Sequence, residues 1–119
     1  MTGRGVPLEK HEQQRIVQYA RLTGGEVYVL GTRRRRSDYP GTMQTPGLPD
    51  LWIMWPTLGI GCWWEVKRAG GRRTPEQVAF GTACTQTATY YGYGPFDVFK
   101  TWIDGWRSVR GYRLREEPE

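Results

Sequence analysis

Residues 62–68 read CWWEVKR, an apolar strand pattern with a glutamate and a lysine set directly behind two tryptophans. Successive strand side chains point to opposite faces, so Glu65 and Lys67 share one face about 7 Å apart. Upstream, residues 48–55 read LPDLWIMW, a second strand-forming run, and the PTLGI between the two runs supplies the proline and glycine of a turn. An antiparallel hairpin is the economical connection. If Pro56 pairs with Gly61 around a four-residue loop, Asp50 faces Lys67 and Trp52 faces Glu65, and Asp50 falls on the face that carries Glu65 and Lys67. A slip of one residue would turn Asp50 to the other side. In the same register Trp52 and Trp63 lie on the charged face, and Trp55 and Trp64 pack behind it.

Working outward, residues 8–22 (LEKHEQQRIVQYARL) lack Pro and Gly and repeat Leu8, Glu12, Ile16 and Tyr19/Ala20 at helical spacing. Glu12 thus lies within the apolar stripe of a first helix that TGG at 23–25 terminates. EVYVLG then reads as a first short strand, and residues 32–47 as a polar loop led by four consecutive arginines. After the hairpin, RAGGRR is a basic loop, and Thr74 with Pro75 and Glu76 opens a second helix as N-cap, first turn and dipole partner. Gln77, Phe80, Cys84, Ala88 and Tyr91 form its inward stripe. The plainer role for Gln77, three residues after a threonine cap, is the reciprocal half of a capping box. Residues 96–100 read as a fourth strand, residues 101–114 as a final amphipathic segment, 1–7 as loose and 115–119 as a charged tail.

A chain of 119 residues is one domain's worth, with its core over about residues 8–104. Lys and Arg number 17 against 12 Asp and Glu, a net charge of +5 with a pI near 9.5, so polyanions and nucleic acid above all are the expected partners. No run reaches the roughly 18 apolar residues of a membrane span, and MTGRGVPLEK lacks the apolar centre of a secretion signal; a soluble, intracellular (cytoplasmic) protein is expected. Cys62, Cys84 and the lone His11 are too few for a tetrahedral zinc site, and the cysteines read as buried free thiols.

Two carboxylates close together at the rim of an apolar sheet repel and call for a counter-charge. Hard oxygen donors without imidazole or thiolate suit Mg²⁺ or Mn²⁺, which keep several waters and accept phosphate oxygens. A lysine beside such an ion is placed to orient the attacking water or stabilise an oxyanion. The plainer alternative is a solvated Glu/Lys/Asp ladder, which does not explain why Glu12 and Gln77 also point inward from flanking helices.

An inward glutamate on the first helix, then GLPDL, then WEVKR, then GGRRTPEQ resembles the PD-(D/E)xK nuclease superfamily, and within it the virus-type replication-repair nuclease domain, over roughly residues 9–100. The resemblance implies an α/β fold with a restriction-endonuclease-like core, a mixed central sheet of about four strands flanked by helices in the order α-β-β-β-α-β. It implies a DNA endonuclease in which Asp50, Glu65 and the Val66 carbonyl hold the metal and Lys67 is the catalytic lysine. Gln77 becomes the helix glutamine near the site and Glu12 the glutamate of the first helix, a metal-site role for which Glu9, one turn earlier, is the alternative. Small stand-alone members of the family look like homodimers acting on branched DNA such as four-way junctions, and six tryptophans in so short a chain agree with a self-association surface. The rival reading is a non-catalytic DNA-binding scaffold on the same fold.

Arg33, Arg34, Arg35 and Arg36 would then contact phosphates without reading sequence. Arg68, Arg72 and Arg73 are better placed, because they directly follow the catalytic lysine. For the tryptophans, packing in the core or at a dimer interface is the expected role ahead of base stacking.

Overall fold

The structure, a computed structural model, describes residues 8–30 and 45–110. The loose N-terminus, the charged tail and the run Arg33–Arg36 lie outside the described residues. The order of elements is α1 (Glu9–Leu22), β1 (Glu26–Val29), β2 (Leu51–Trp55), β3 (Ile60–Val66), α2 (Pro75–Gln86), β4 (Tyr90–Gly94) and α3 (Phe96–Arg110). The four strands form one mixed sheet in the order β1-β2-β3-β4, antiparallel except for the parallel β3–β4 pair, with helices on both faces. This is an α/β fold of the expected class with one further helix at its end.

The hairpin loop has the expected four residues but is centred one residue earlier. Trp55 pairs with Ile60, and Leu51 with Trp64. Pro56 has no N–H to give a ladder, so it sits inside the turn, where the amides of Leu58 and Gly59 close onto the Trp55 carbonyl at 3.0 and 2.9 Å. Every expected cross-strand pair is therefore displaced by two positions. Because the displacement is even, each side chain keeps its face: Trp52 opposes Trp63 instead of Glu65, and the register carried one residue further sets Asp50 opposite Glu65 instead of Lys67.

The face carrying Leu51, Ile53, Trp55, Cys62, Trp64 and Val66 is the core, closed by Ile16 and Ala20 of α1 and by Phe99 and Ile103 of α3. Both buried indoles find acceptors, Trp55 Nε1 on Thr23 Oγ1 at 3.0 Å and Trp64 Nε1 on the Gly94 carbonyl at 3.1 Å. Both cysteines are buried and free, and burial pushes their thiols up from the ordinary range. The opposite face carries Trp52, Trp63 and Glu65, and α2 covers its β3–β4 side, where Phe80 meets Trp63 edge-on at 5.3 Å.

Two expected elements are corrected. The second helix ends at Gln86, not beyond Tyr91: Ala88 takes a left-handed φ of 57°, and the Thr89 and Ala88 amides return to the Cys84 and Thr85 carbonyls at 2.9 and 3.4 Å in a Schellman closure. The fourth strand is Tyr90–Gly94, and residues 96–100, expected to form it, are instead the first turns of α3. Phe99 and Ile103 of that helix fall on one buried stripe, which is helical periodicity. No helix among the described residues is long and apolar enough to cross a membrane.

Candidate functional site

The loop before β2 is shaped by Gly47 and Pro49. Gly47 has a φ of +86°, and a Cβ there would come within 2.5 Å of the Glu76 carbonyl oxygen, so only glycine lets this loop lie against the first turn of α2. Pro49 is fully buried. Asp50 follows, and its Oδ2 accepts the Val66 amide at 2.8 Å, which ties the carboxylate to the end of β3.

Glu65 is 3% exposed. Its Oε2 accepts from Gln77 Nε2 at 2.9 Å and stands 3.8 Å from Lys67 Nζ. The other oxygen, Oε1, is buried with no hydrogen-bond donor. Burial, followed by the charge of Asp50 and a hydrogen bond shared with it, raises the Glu65 carboxyl to about 8, and the nearby Lys67 ammonium offsets this only in part. Two interacting carboxyl groups brought together by neighbouring strands are satisfied either by a proton between them or by a cation.

That donor set fits a hard divalent ion. Among the described residues no three His, Cys, Asp or Glu side chains gather into a metal-binding group. An ion here would therefore rest on Asp50, Glu65, a backbone carbonyl such as that of Val66, and waters, which is the sparse coordination that Mg²⁺ and Mn²⁺ accept.

Gln77 completes the capping box and also reaches Glu65. Thr74 Oγ1 accepts the Gln77 amide at 3.1 Å, Gln77 Oε1 accepts the Thr74 amide at 2.8 Å, and the remaining Nε2 of the same carboxamide reaches Glu65. Glu12 points inward as expected, but from the opposite side of the sheet. It is 3% exposed, and its Oε1 accepts the amide of Phe96 at 2.8 Å at the start of α3. It stays at the same end of the sheet as Glu65, since Gly94, two residues before Phe96, pairs with Val66. On α1, Glu9 is the carboxylate whose charge bears on Glu65.

Arg68 and Arg72 are exposed, whereas Arg73 is half-buried with its guanidinium 3.9 Å from the centre of the Tyr93 ring and 5.8 Å from that of Tyr91. Tyr93 pairs with Glu65 across the β3–β4 ladder, so the ring on which the guanidinium stacks belongs to the strand position next to Glu65. Tyr93 is not among the residues singled out from the sequence; its signal there is the two-residue spacing of Tyr91 and Tyr93, which puts both on one strand face once Gly92 is allowed inside a strand.

Comparisons with protein-family models, curated proteins and solved structures find no match for this chain.

Proposed function

We propose that the chain is a divalent-metal-dependent nuclease that hydrolyses phosphodiester bonds in DNA, branched DNA foremost, with Mg²⁺ or Mn²⁺ held by Asp50 and Glu65 and by the Val66 carbonyl. The observation that carries this is the buried Glu65 carboxylate, whose Oε1 lacks a donor, with Asp50 at the head of the neighbouring strand and the Lys67 ammonium alongside. When bound, the ion supplies a water acidified toward neutrality and screens the charge that develops on phosphorus.

The chain's own groups do the rest. Gln77 holds Glu65 Oε2 in place, and the Val66 amide holds Asp50, so the two carboxylates are aimed before any ion arrives. Lys67, its side chain 12% exposed, stands where it can orient a water or neutralise a phosphate oxygen. Arg73, stiffened by its tyrosine stack, and the exposed Arg68 and Arg72 offer contacts for the flanking phosphates.

The test is a cleavage panel comparing a four-way junction, a flap, a linear duplex, a single strand and an RNA of the same sequence, each with Mn²⁺ or EDTA. Cleavage is expected with Mn²⁺, absent with EDTA, and abolished in D50A, E65A and K67A while DNA binding persists. Wild-type rates in D50A and E65A would refute the reading. The scaffold alternative draws on the Lys67–Glu65 ion pair, which partners Glu65 within the chain; binding without cleavage under every metal condition would favour it.

A further inference from the structure

The catalytic reading leaves unused a row of aromatic side chains next to the carboxylate pair. The strand registers link Tyr28 to Trp52, Trp52 to Trp63 and Trp63 to Tyr91, so a single cross-strand row of aromatics spans all four strands. It lies on the face of Glu65. Trp63 is two residues before Glu65 and Trp52 two after Asp50, which sets the row about 7 Å from the carboxylates along the strands.

Among the described residues, cover comes at one end of the row: Phe80 of α2 packs against Trp63 and, at 6.1 Å between ring centres, against Tyr91. Toward β1 and β2 no described residue lies over it: Tyr28 is 47% exposed, and Trp52 and Trp63 are half-buried. Trp52 is nevertheless fixed in place. Its ring centre is 4.8 Å from that of Trp63, and its indole lies over Gly61, where a Cβ would meet the ring at 3.0 Å. A held indole with an open side, in a chain of net charge +5, is complementary to an aromatic anion. A second copy carries the same net charge of +5 and is to that extent repelled.

We propose that the Tyr28–Trp52–Trp63 end of this row is a stacking shelf for an unpaired nucleobase of the strand whose phosphate lies at Asp50 and Glu65. The inference rests on the nuclease reading and deepens it, because a shelf of this kind selects DNA in which the base next to the cut is already unstacked, as at a flap or a junction. A base in continuous duplex must first leave its stack.

The test is equilibrium binding of labelled oligonucleotides in EDTA, where no cleavage can intervene: a single strand, a flap and a blunt duplex, against wild type, W52A, W52F and Y28A. W52A should weaken binding to the single strand and the flap about ten-fold and change the blunt duplex less than about two-fold. W52F should recover most of the loss, and single-stranded DNA should quench wild-type tryptophan fluorescence more than that of W52A. Y28A, at an exposed position that the core does not use, gives the same selective loss in smaller measure should W52A fail to fold. Equal loss on single strand and blunt duplex, no loss on either, or light scattering that shows a wild-type dimer dissociated by W52A would overturn the shelf. Unselective binding with intact cleavage sinks the shelf alone. Selective binding with no cleavage in any metal leaves the shelf standing and sinks the nuclease reading.

Discussion

Gln77 fixes Glu65 with the same carboxamide that closes the N-terminal cap of α2: Oε1 accepts the Thr74 amide and Nε2 donates to Glu65 Oε2 at 2.9 Å. The start of α2 and the orientation of the buried carboxylate are thereby one mechanical unit. Because Thr74 contributes only to the cap, the two roles separate by mutation. T74A should lower stability by about 1 kcal/mol and leave DNA cleavage within a few-fold of wild type. Q77A loses the cap partner and the donor to Glu65 together, so it should lower stability at least as much and reduce cleavage at least ten-fold. Thermal melts read beside metal-dependent cleavage rates check this, and equal cleavage in T74A and Q77A would show that the Glu65 contact has no catalytic consequence.

The raised Glu65 carboxyl makes metal-free stability depend on pH in a direction that can be worked out. Its ordinary value is 4.5, and in the folded chain burial and then Asp50 lift it to about 8. The folded state therefore binds that proton more tightly than the unfolded state. The contribution of Glu65 is most favourable at low pH, declines as pH rises from about 4.5 to about 8, and levels off above. E65Q removes this dependence. In EDTA the melting temperature of E65Q relative to wild type should increase from pH 5 to pH 8, with E65Q the more stable at pH 8. Mn²⁺ should narrow that gap by stabilising wild type and not E65Q. A gap that does not change with pH would place the Glu65 carboxylate in a well-compensated ion pair.

The elements that sequence made legible are those in which local pattern and tertiary role agree. TGG stops α1 where the Gly25 and Gly24 amides return to the Ala20 and Arg21 carbonyls, and Thr74-Pro75-Glu76-Gln77 opens α2 with its capping box complete. The convergence of Asp50, Glu65 and Lys67 on one face was readable as well, because alternation depends on parity and the two-position error in register preserved it. The fourth strand was hidden because the reason for its glycine lies in another strand. The sequence pattern carries the α2 stripe through Tyr91 and puts the strand at residues 96–100, yet Gly92 lies inside β4, where a Cβ would come within 2.2 Å of the Trp64 indole. Here a packing demand overrode local propensity. The partner of Glu12 is hidden for a similar reason: residues 96–100 read as a strand from sequence, so that pattern offers no helix N-terminus to be capped.

The close approach of Gly92 and Trp64 gives a test of that packing. G92A has no room for its methyl unless the indole moves, and Trp64 Nε1 is held by the Gly94 carbonyl while its ring meets Phe99 edge-on at 5.0 Å. Overpacking at such a site costs about 1–3 kcal/mol. G92A should therefore melt well below wild type. The double variant G92A/W64F, with a smaller ring, should recover part of the loss, and chemical denaturation of the four proteins as a cycle measures the coupling. Additive effects would mean that the methyl is accommodated elsewhere.

Glu12 can be a structural cap, a member of the metal site, or both, and the substitutions that tell these apart differ by a single atom. α3 starts after Pro95, which has no side-chain acceptor to offer the first amides of the helix; the Glu12 carboxylate, reaching over from α1, accepts that of Phe96 at 2.8 Å. A buried amide left without its charged acceptor costs about 1.5–3 kcal/mol, and the negative charge also favours the positive end of the helix dipole. E12A should thus be destabilised by about 2 kcal/mol. E12Q keeps an oxygen for the Phe96 amide and should lose less than half as much. Cleavage separates the remaining readings, because Gln replaces one anionic oxygen with a donor. If Glu12 acts only as the anchor of α3, E12Q should cut DNA at near wild-type rates with an unchanged Mn²⁺ requirement; if it also holds the ion, E12Q should be folded, inactive, and shifted to higher half-saturating Mn²⁺. The geometry, in which this carboxylate's hydrogen bond among the described residues goes to a backbone amide on the far side of the sheet from Glu65, leads us to expect the first outcome.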